Sequence, residues 1–147
     1  MSEIAHTAHE MISGMSPVLQ PGEFVFVTTV DDGLVGALAP KAIATFREKE
    51  GMSMLIAVEI AEHAMLNTDV PMCCITLNVF SSLEGVGLTA AVATALGESD
   101  IPCNMVAAFH HDHVFVPSVM SERAVDVLAK LQNQAARRAP DSAPTQP

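Results

Sequence analysis

Residues 75–96, ITLNVFSSLEGVGLTAAVATAL, predict a strand, a glycine-bearing loop and a helix in direct succession. Ile75 and Leu77 alternate along the strand, which is the pattern of a strand with one side on a core. Leu88 and Val92 recur at helical spacing and predict the inward side of an amphipathic helix. A loop of this kind exposes backbone N–H groups at a helix start, where a small anionic ligand can bind.

An earlier segment, residues 27–36 (VTTVDDGLVG), is similar to this stretch. Aligning Gly36 with Gly87 gives an offset of 51 residues and places Met52 on Cys103. The sequence therefore predicts two copies of one βαβ-containing unit.

The remaining elements follow from periodicity and from Pro and Gly. Pro40 and Gly51 predict a helix over residues 40–50, with Ile43 and Phe46 facing inward. The other predicted elements are helices over 3–13 and from Ser121, strands over 23–30, 53–60 and 72–80, and a hairpin from 103–109 and 114–116. The resulting β-α-β-β-α order predicts an α+β fold: a two-layer, mostly antiparallel α/β sandwich of the ferredoxin-like kind.

The charge balance excludes several classes of partner. Among 147 residues there are 7 Lys and Arg against 17 Asp and Glu, for a formal charge of −10. This disfavours sequence-independent binding to nucleic acid and adsorption to an anionic membrane.

There is no apolar run of about 20 residues, as a spanning helix needs, and we expect a cytoplasmic protein. Cys73, Cys74 and Cys103 are expected to be reduced structural residues.

Four blocks of the chain, in order, resemble small bacterial stand-alone proteins built from paired ACT domains. The blocks are residues 22–26 (GEFVF), 47–52 (REKEGM), 75–92, and 101–109 (IPCNMVAAF) followed by 111–117 (HDHVFVP). The resemblance implies two tandem ACT-like units, at 15–70 and 71–138, after an N-terminal helix within 1–14. It also implies a small-molecule regulatory role, an amino acid as ligand, and association into a homodimer.

The resemblance places ligand binding at the loop between the first strand and first helix of each unit. The candidate residues are Asp31, Asp32, Gly33 and Gly36 in one copy, and Ser82, Leu83, Glu84, Gly85, Val86, Gly87 and Leu88 in the other. The glycines would let a ligand approach the backbone, and Glu84 could hold an amino group. They could equally serve only a tight turn and close packing.

The histidine-rich segment His110, His111, Asp112 and His113 supports a different hypothesis, a metal-binding protein or metal-dependent enzyme. Alternate residues of a hairpin point to opposite faces, so a polar hairpin tip is the favoured interpretation. A third hypothesis is a structural module that docks a partner protein. No catalytic motif or cofactor fingerprint is present, and a non-enzyme is expected.

Residues 139–147 carry three Pro and no large apolar side chain. They predict a disordered, dispensable tail, since they cannot bury enough surface to offset the entropy of ordering.

Overall fold

The computed structural model describes residues 7–79 and 86–137. The helices are α1 (Ala8–Gly14), α2 (Asp32–Leu38), α3 (Val58–His63), α4 (Leu88–Glu98) and α5 (Ser121–Arg137). The strands are β1 (Pro17–Leu19), β2 (Phe24–Thr29), β3 (Ala44–Glu48), β4 (Gly51–Ala57), β5 (Met72–Leu77), β6 (Asn104–Ala107) and β7 (Asp112–Pro117). No described helix is long and apolar enough to cross a membrane.

The described residues form two compact units. The continuous unit comprises residues 21–73, and the split unit comprises the described residues up to Gln20 and from Cys74 onward. Residues 15–20, which the sequence assigns to the first predicted unit, thus lie in the split unit.

In the continuous unit, β4 pairs antiparallel with β2 on one side and with β3 on the other. Phe24 of β2 also pairs with Met72, at the start of β5. Alternate residues of the sheet, including Val25 and Met54, are buried with Leu38 of α2 in one apolar core. Helices on one side of an antiparallel sheet with this strand order form a ferredoxin-like unit, as predicted.

The predicted helix over residues 40–50 is wrong. Pro40 lies in a 3-10 turn, and a β-hairpin follows it. Ile43 and Phe46, predicted to face inward, are 53% and 71% exposed. β-Branched and aromatic residues favour the strand here, and Gly51 begins β4 instead of capping a helix.

In the split unit, the strand order is β1-β5-β7-β6. β1 pairs antiparallel with β5, from Pro17 opposite Leu77 to Leu19 opposite Ile75. The core between sheet and helices contains Met11, Met15, Ile75, Leu77, Leu88, Val92, Leu96, Ile101, Val114, Val116, Ala124 and Leu128. The predicted inward side of α4 is therefore confirmed at Leu88, Val92 and Leu96.

Helix α1 starts at a capping box. The Thr7 hydroxyl accepts a hydrogen bond from the Glu10 amide at 3.0 Å, and the Glu10 carboxylate accepts one from the Thr7 amide at 3.4 Å. Met11 and Met15 are fully buried against the split unit's core. The first residues of the predicted 3–13 helix lie outside the described residues.

The constant 51-residue offset is wrong, although the two units it predicted are present. β2 and β5 begin at Phe24 and Met72, 48 residues apart, whereas β4 and β7 begin at Gly51 and Asp112, 61 residues apart. One cause is the length of α4, which has 11 residues against 7 in α2. Gly36 accordingly lies inside α2, whereas Gly87 precedes α4.

Candidate functional site

A cavity of about 390 Å³ opens at the carboxyl end of β2 in the continuous unit. Its lining comes from the end of β2, from α2 and from the β3–β4 hairpin. The lining residues are Thr29, Val30, Asp32, Val35, Arg47, Glu48, Lys49, Gly51 and Met52.

Strand register explains the floor of this cavity. Met52 of β4 lies opposite Thr29 of β2 and opposite Arg47 of β3. Two residues away, Val27 and Met54 occupy the same side of the sheet and belong to the core under the helices. Because side chains alternate along a strand, the Thr29–Met52–Arg47 row faces the helix layer where that layer ends. Asp32 and Val35 of α2 line the space beside this row.

The two aspartates before and within α2 have different roles. Asp31 is the N-cap, and its carboxylate accepts a hydrogen bond from the Leu34 amide at 3.0 Å. The Asp31 amide donates to the Thr29 hydroxyl at 3.1 Å, which fixes the turn out of β2. Asp32, the first residue of α2, lines the cavity.

Gly51 allows the hairpin to approach β2 closely. A Cβ at Gly51 would lie 3.0 Å from both the Thr28 hydroxyl oxygen and the Thr29 carbonyl oxygen. Those contacts are tighter than side chains normally make, so a larger residue would push the hairpin away from β2. Glycine therefore keeps the cavity wall in place.

The charged groups around the cavity are mostly unpaired. Glu48 accepts a hydrogen bond from the Ser53 hydroxyl. By strand alternation Glu48 and Ser53 lie on the sheet face opposite Arg47. Asp32, Arg47 and Lys49 make no ion pair with any residue in the part of the chain that the structure describes. The cavity thus presents both signs of charge to a solute, next to the apolar side chains of Val35 and Met52.

The predicted loop from Asp31 to Gly36 only partly coincides with this cavity. Asp32 lines it, while Asp31 caps α2. Gly33 and Gly36 are helical residues that do not line it. What was predicted as a ligand loop is largely the first turns of a helix.

In the second predicted loop, Ser82, Leu83, Glu84 and Gly85 lie outside the described residues. Gly87 is the N-cap of α4 and has a φ of +112°, a conformation that favours glycine. A Cβ there would lie 2.6 Å from the Ala8 Cβ. Packing of α1 against the start of α4 thus accounts for this glycine.

The histidine-rich segment is distributed along the β6–β7 hairpin. His111 Nδ1 lies 3.3 Å from the Val79 carbonyl oxygen, and the His110 ring meets the Phe109 ring edge-on at 5.1 Å. Asp112 is buried at the start of β7. Among residues 7–79 and 86–137, no three His, Cys, Asp or Glu side chains are grouped as a metal would require.

His113 belongs to a hydrogen-bonded row across three segments of the split unit. The Gln20 amide donates to the Thr76 hydroxyl at 3.0 Å, and Thr76 Oγ1 lies 3.0 Å from His113 Nδ1. Burial lowers the pKa of His113, the neighbouring His111 lowers it further, and Asp112 opposes both effects. The lowered pKa favours the neutral ring, which can accept the Thr76 hydrogen at Nδ1.

Two ACT-domain family models match the chain in tandem, one over residues 6–73 and one over residues 69–130. The chain belongs to the ACT-domain family. A Vibrio cholerae protein of unknown function, described as a possible transport protein, is 38% identical to it. That similarity covers 83% of this chain and 93% of the other, with a TM-score of 0.74.

Regulatory parts of aspartate kinases share the fold. The ligand-free regulatory subunit from Thermus thermophilus is 13% identical over 81% of this ACT-domain chain and 97% of its own, with a TM-score of 0.56. A structure of aspartokinase alpha and beta subunits is 16% identical over 80% and 97%, with a TM-score of 0.59. At these identities only the fold is shared. No curated protein matches the chain.

Family membership confirms the predicted ferredoxin-like ACT units and supports a ligand-binding regulatory role. Sequence reasoning did not include the cavity residues Thr29, Arg47, Lys49 and Met52 among its candidates. Arg47 and Lys49 fell within the predicted helix over residues 40–50, where the structure has the β3–β4 hairpin. No strong signal for that hairpin is present in the sequence, because its turn residues Lys49 and Glu50 are not the Asn-Gly or Asp-Gly pair typical of a two-residue hairpin loop.

Proposed function

We propose that this ACT-domain protein is a non-catalytic regulator whose ligand is a free α-amino acid bound in the cavity of the continuous unit. The observation that carries the proposal is the distribution of charge. Asp32 comes from α2, whereas Arg47 and Lys49 come from the facing hairpin. The ammonium group of an amino-acid zwitterion would bind Asp32, and its carboxylate would bind the cations of the hairpin. Both contacts are charge-assisted hydrogen bonds.

The size and the lining of the cavity support the same ligand class. Its volume of about 390 Å³ lies within the range of roughly 300–1,000 Å³ usual for small-molecule sites. Val35 and Met52 supply apolar surface for the ligand's side chain, and methionine adapts readily to different shapes. The charged groups would fix the ammonium and carboxylate groups of the amino acid, while Val35 and Met52 contact its carbon atoms.

Of the two predicted ligand loops, the proposal takes the one in the continuous unit. Packing of Ala8 against Gly87 supplies a structural reason for the glycine in the other. The homodimer also remains a proposal. It is supported by Phe26 and Phe46, which are 47% and 71% exposed on the sheet face opposite the helices.

A thermal-shift screen of the twenty amino acids tests the proposal. A ligand at 100 times its dissociation constant adds about 2.7 kcal/mol to the free energy of unfolding. For a chain of 147 residues this corresponds to a rise in Tm of roughly 5–10 °C. If no amino acid raises the Tm, the proposal fails.

Matched variants locate the site. Asp32→Asn is expected to weaken binding of the amino acid that stabilises the protein, as measured by titration calorimetry. Asp126→Asn is the control, since Asp126 is an exposed aspartate on α5. Equal affinities for the two variants would contradict placement of the ammonium group at Asp32.

A further inference from the structure

The cavity's charges are not balanced for a simple zwitterion. Two cations, Arg47 and Lys49, line it without an ion partner among the described residues, and the lining also includes the anions Asp32 and Glu48. The Glu48 carboxylate keeps its charge but accepts a hydrogen bond from the Ser53 hydroxyl on the sheet face opposite Arg47. On the Arg47 side, two cations therefore stand against the single carboxylate of Asp32.

This excess of cations is concentrated in an otherwise acidic segment. Residues 21–73 contain three basic side chains, Lys41, Arg47 and Lys49, against eight acidic ones. Two of the three basic side chains border the cavity. In a chain with a formal charge of −10, long-range electrostatics oppose binding of an anion, so an anionic ligand depends on such a local arrangement.

From this charge pattern we infer that the ligand is an α-amino acid that carries a second acidic group. Its ammonium group binds Asp32. One of its two carboxylates binds Arg47 and the other binds Lys49, in either arrangement. Arg47 is suited to bidentate recognition of a carboxylate, and Lys49 acts as a point charge on a flexible stem. A neutral amino acid would leave one of the two cations without a partner.

The inference rests on the proposed function, because it names the ligand class of that same cavity. Val35 and Met52 then contact the short carbon chain between the acidic groups. A ligand with a basic side chain is disfavoured, since it would bring a third positive charge to Arg47 and Lys49.

Titration calorimetry with matched pairs of amino acids tests this. L-Aspartate should bind more tightly than L-asparagine, or L-glutamate more tightly than L-glutamine, by about tenfold to a hundredfold. That range corresponds to one charge-assisted hydrogen bond lost with the second charge. L-Lysine should bind more weakly than either acid, and added salt should weaken the acids more than the amides.

Variants of the cavity residues test whether the preference for the acids over the amides arises in the cavity. Arg47→Gln and Lys49→Gln should each reduce the ratio of acid to amide affinity to near one, while Lys41→Gln, the remaining basic residue of the unit, should leave it unchanged. Circular dichroism of each variant establishes that it is folded.

The possible outcomes distinguish failure of the acidic-ligand inference from failure of the proposed amino-acid binding. Amides that bind as tightly as acids, or a preference that survives both cavity variants, would overturn the inference and leave amino-acid binding in place. If no amino acid binds at all, the proposed function fails together with it. A preference lost in the two cavity variants and kept in Lys41→Gln supports both.

Discussion

Replacing Gly87 by alanine tests whether α1 closes over the start of α4. The Gly87 backbone has a φ of +112°, and a residue with a Cβ incurs about 1–2 kcal/mol in the left-handed region. The new Cβ would also lie 2.6 Å from the Ala8 Cβ, and relieving such an overlap costs about 1–3 kcal/mol. We expect Gly87→Ala to lower the free energy of unfolding by about 2–5 kcal/mol. The bulkier Gly87→Val would therefore report on folding as well as on binding.

A double-mutant cycle separates the two contributions. Ala8→Gly removes the atom that Gly87→Ala would meet, so in that background only the backbone cost of about 1–2 kcal/mol should remain. The coupling energy should then be about 1–3 kcal/mol. Urea unfolding of the four proteins measures it, with equal m-values as the control for two-state behaviour. If the effects add to within about 0.5 kcal/mol, α1 does not contact the helix start, and Gly87 regains its place as a ligand-binding candidate.

Four further outcomes are expected. Leu128→Ala, at a fully buried position of α5, should lower the free energy of unfolding by about 2–5 kcal/mol, the usual sum of lost transfer energy and cavity cost; a smaller loss in urea would contradict its place in the core. The folded-state pKa of His113 lies below its ordinary value of 6.5, so its stabilising contribution is present above pH 6.5 and is lost as the pH falls through the folded pKa. His113→Gln should therefore reduce the loss of stability on going from pH 7 to lower pH; identical pH profiles of wild type and His113→Gln would refute this. The protein should sediment as a dimer and Phe46→Glu as a monomer, and a monomeric wild type at micromolar concentration would remove the dimer. Deleting residues 139–147 should leave the Tm unchanged, and a loss as large as that of Leu128→Ala would show that the tail contributes to the fold.

Sequence periodicity was sufficient to predict the type of those elements whose buried residues recur at regular spacing. β2, β5, α4 and α5 follow the spacing of their buried residues, so their type was predictable from local sequence. The hairpin at 44–57 was not, because Pro40 and Gly51 are also typical of the two ends of a helix. The exposed side chains of β3, Phe46 among them, obscured the inward alternation that identifies a half-buried strand.

Two features of the fold depend on distant contacts that local pattern does not encode. β1 is three residues long, and its pairing with β5 spans more than fifty positions of sequence. The candidate site has the same origin, since Thr29, Met52 and Arg47 become neighbours only through the register of three strands. Asp32 was predicted as a candidate ligand-binding residue because the ACT-domain resemblance places the ligand at the loop after the first strand of each unit. Its cationic counterparts were assigned to a helix.

An ¹H–¹⁵N correlation titration with the amino acid that raises the Tm most tests the central claim most directly. Binding in the cavity predicts amide shift changes concentrated at residues 29–35 and 47–52, saturating at the affinity that calorimetry measures. The same titration of Asp32→Asn should require a higher ligand concentration. Changes concentrated at Val86–Leu88 or His110–His113, with residues 29–35 and 47–52 unmoved, would contradict a ligand site in the continuous unit.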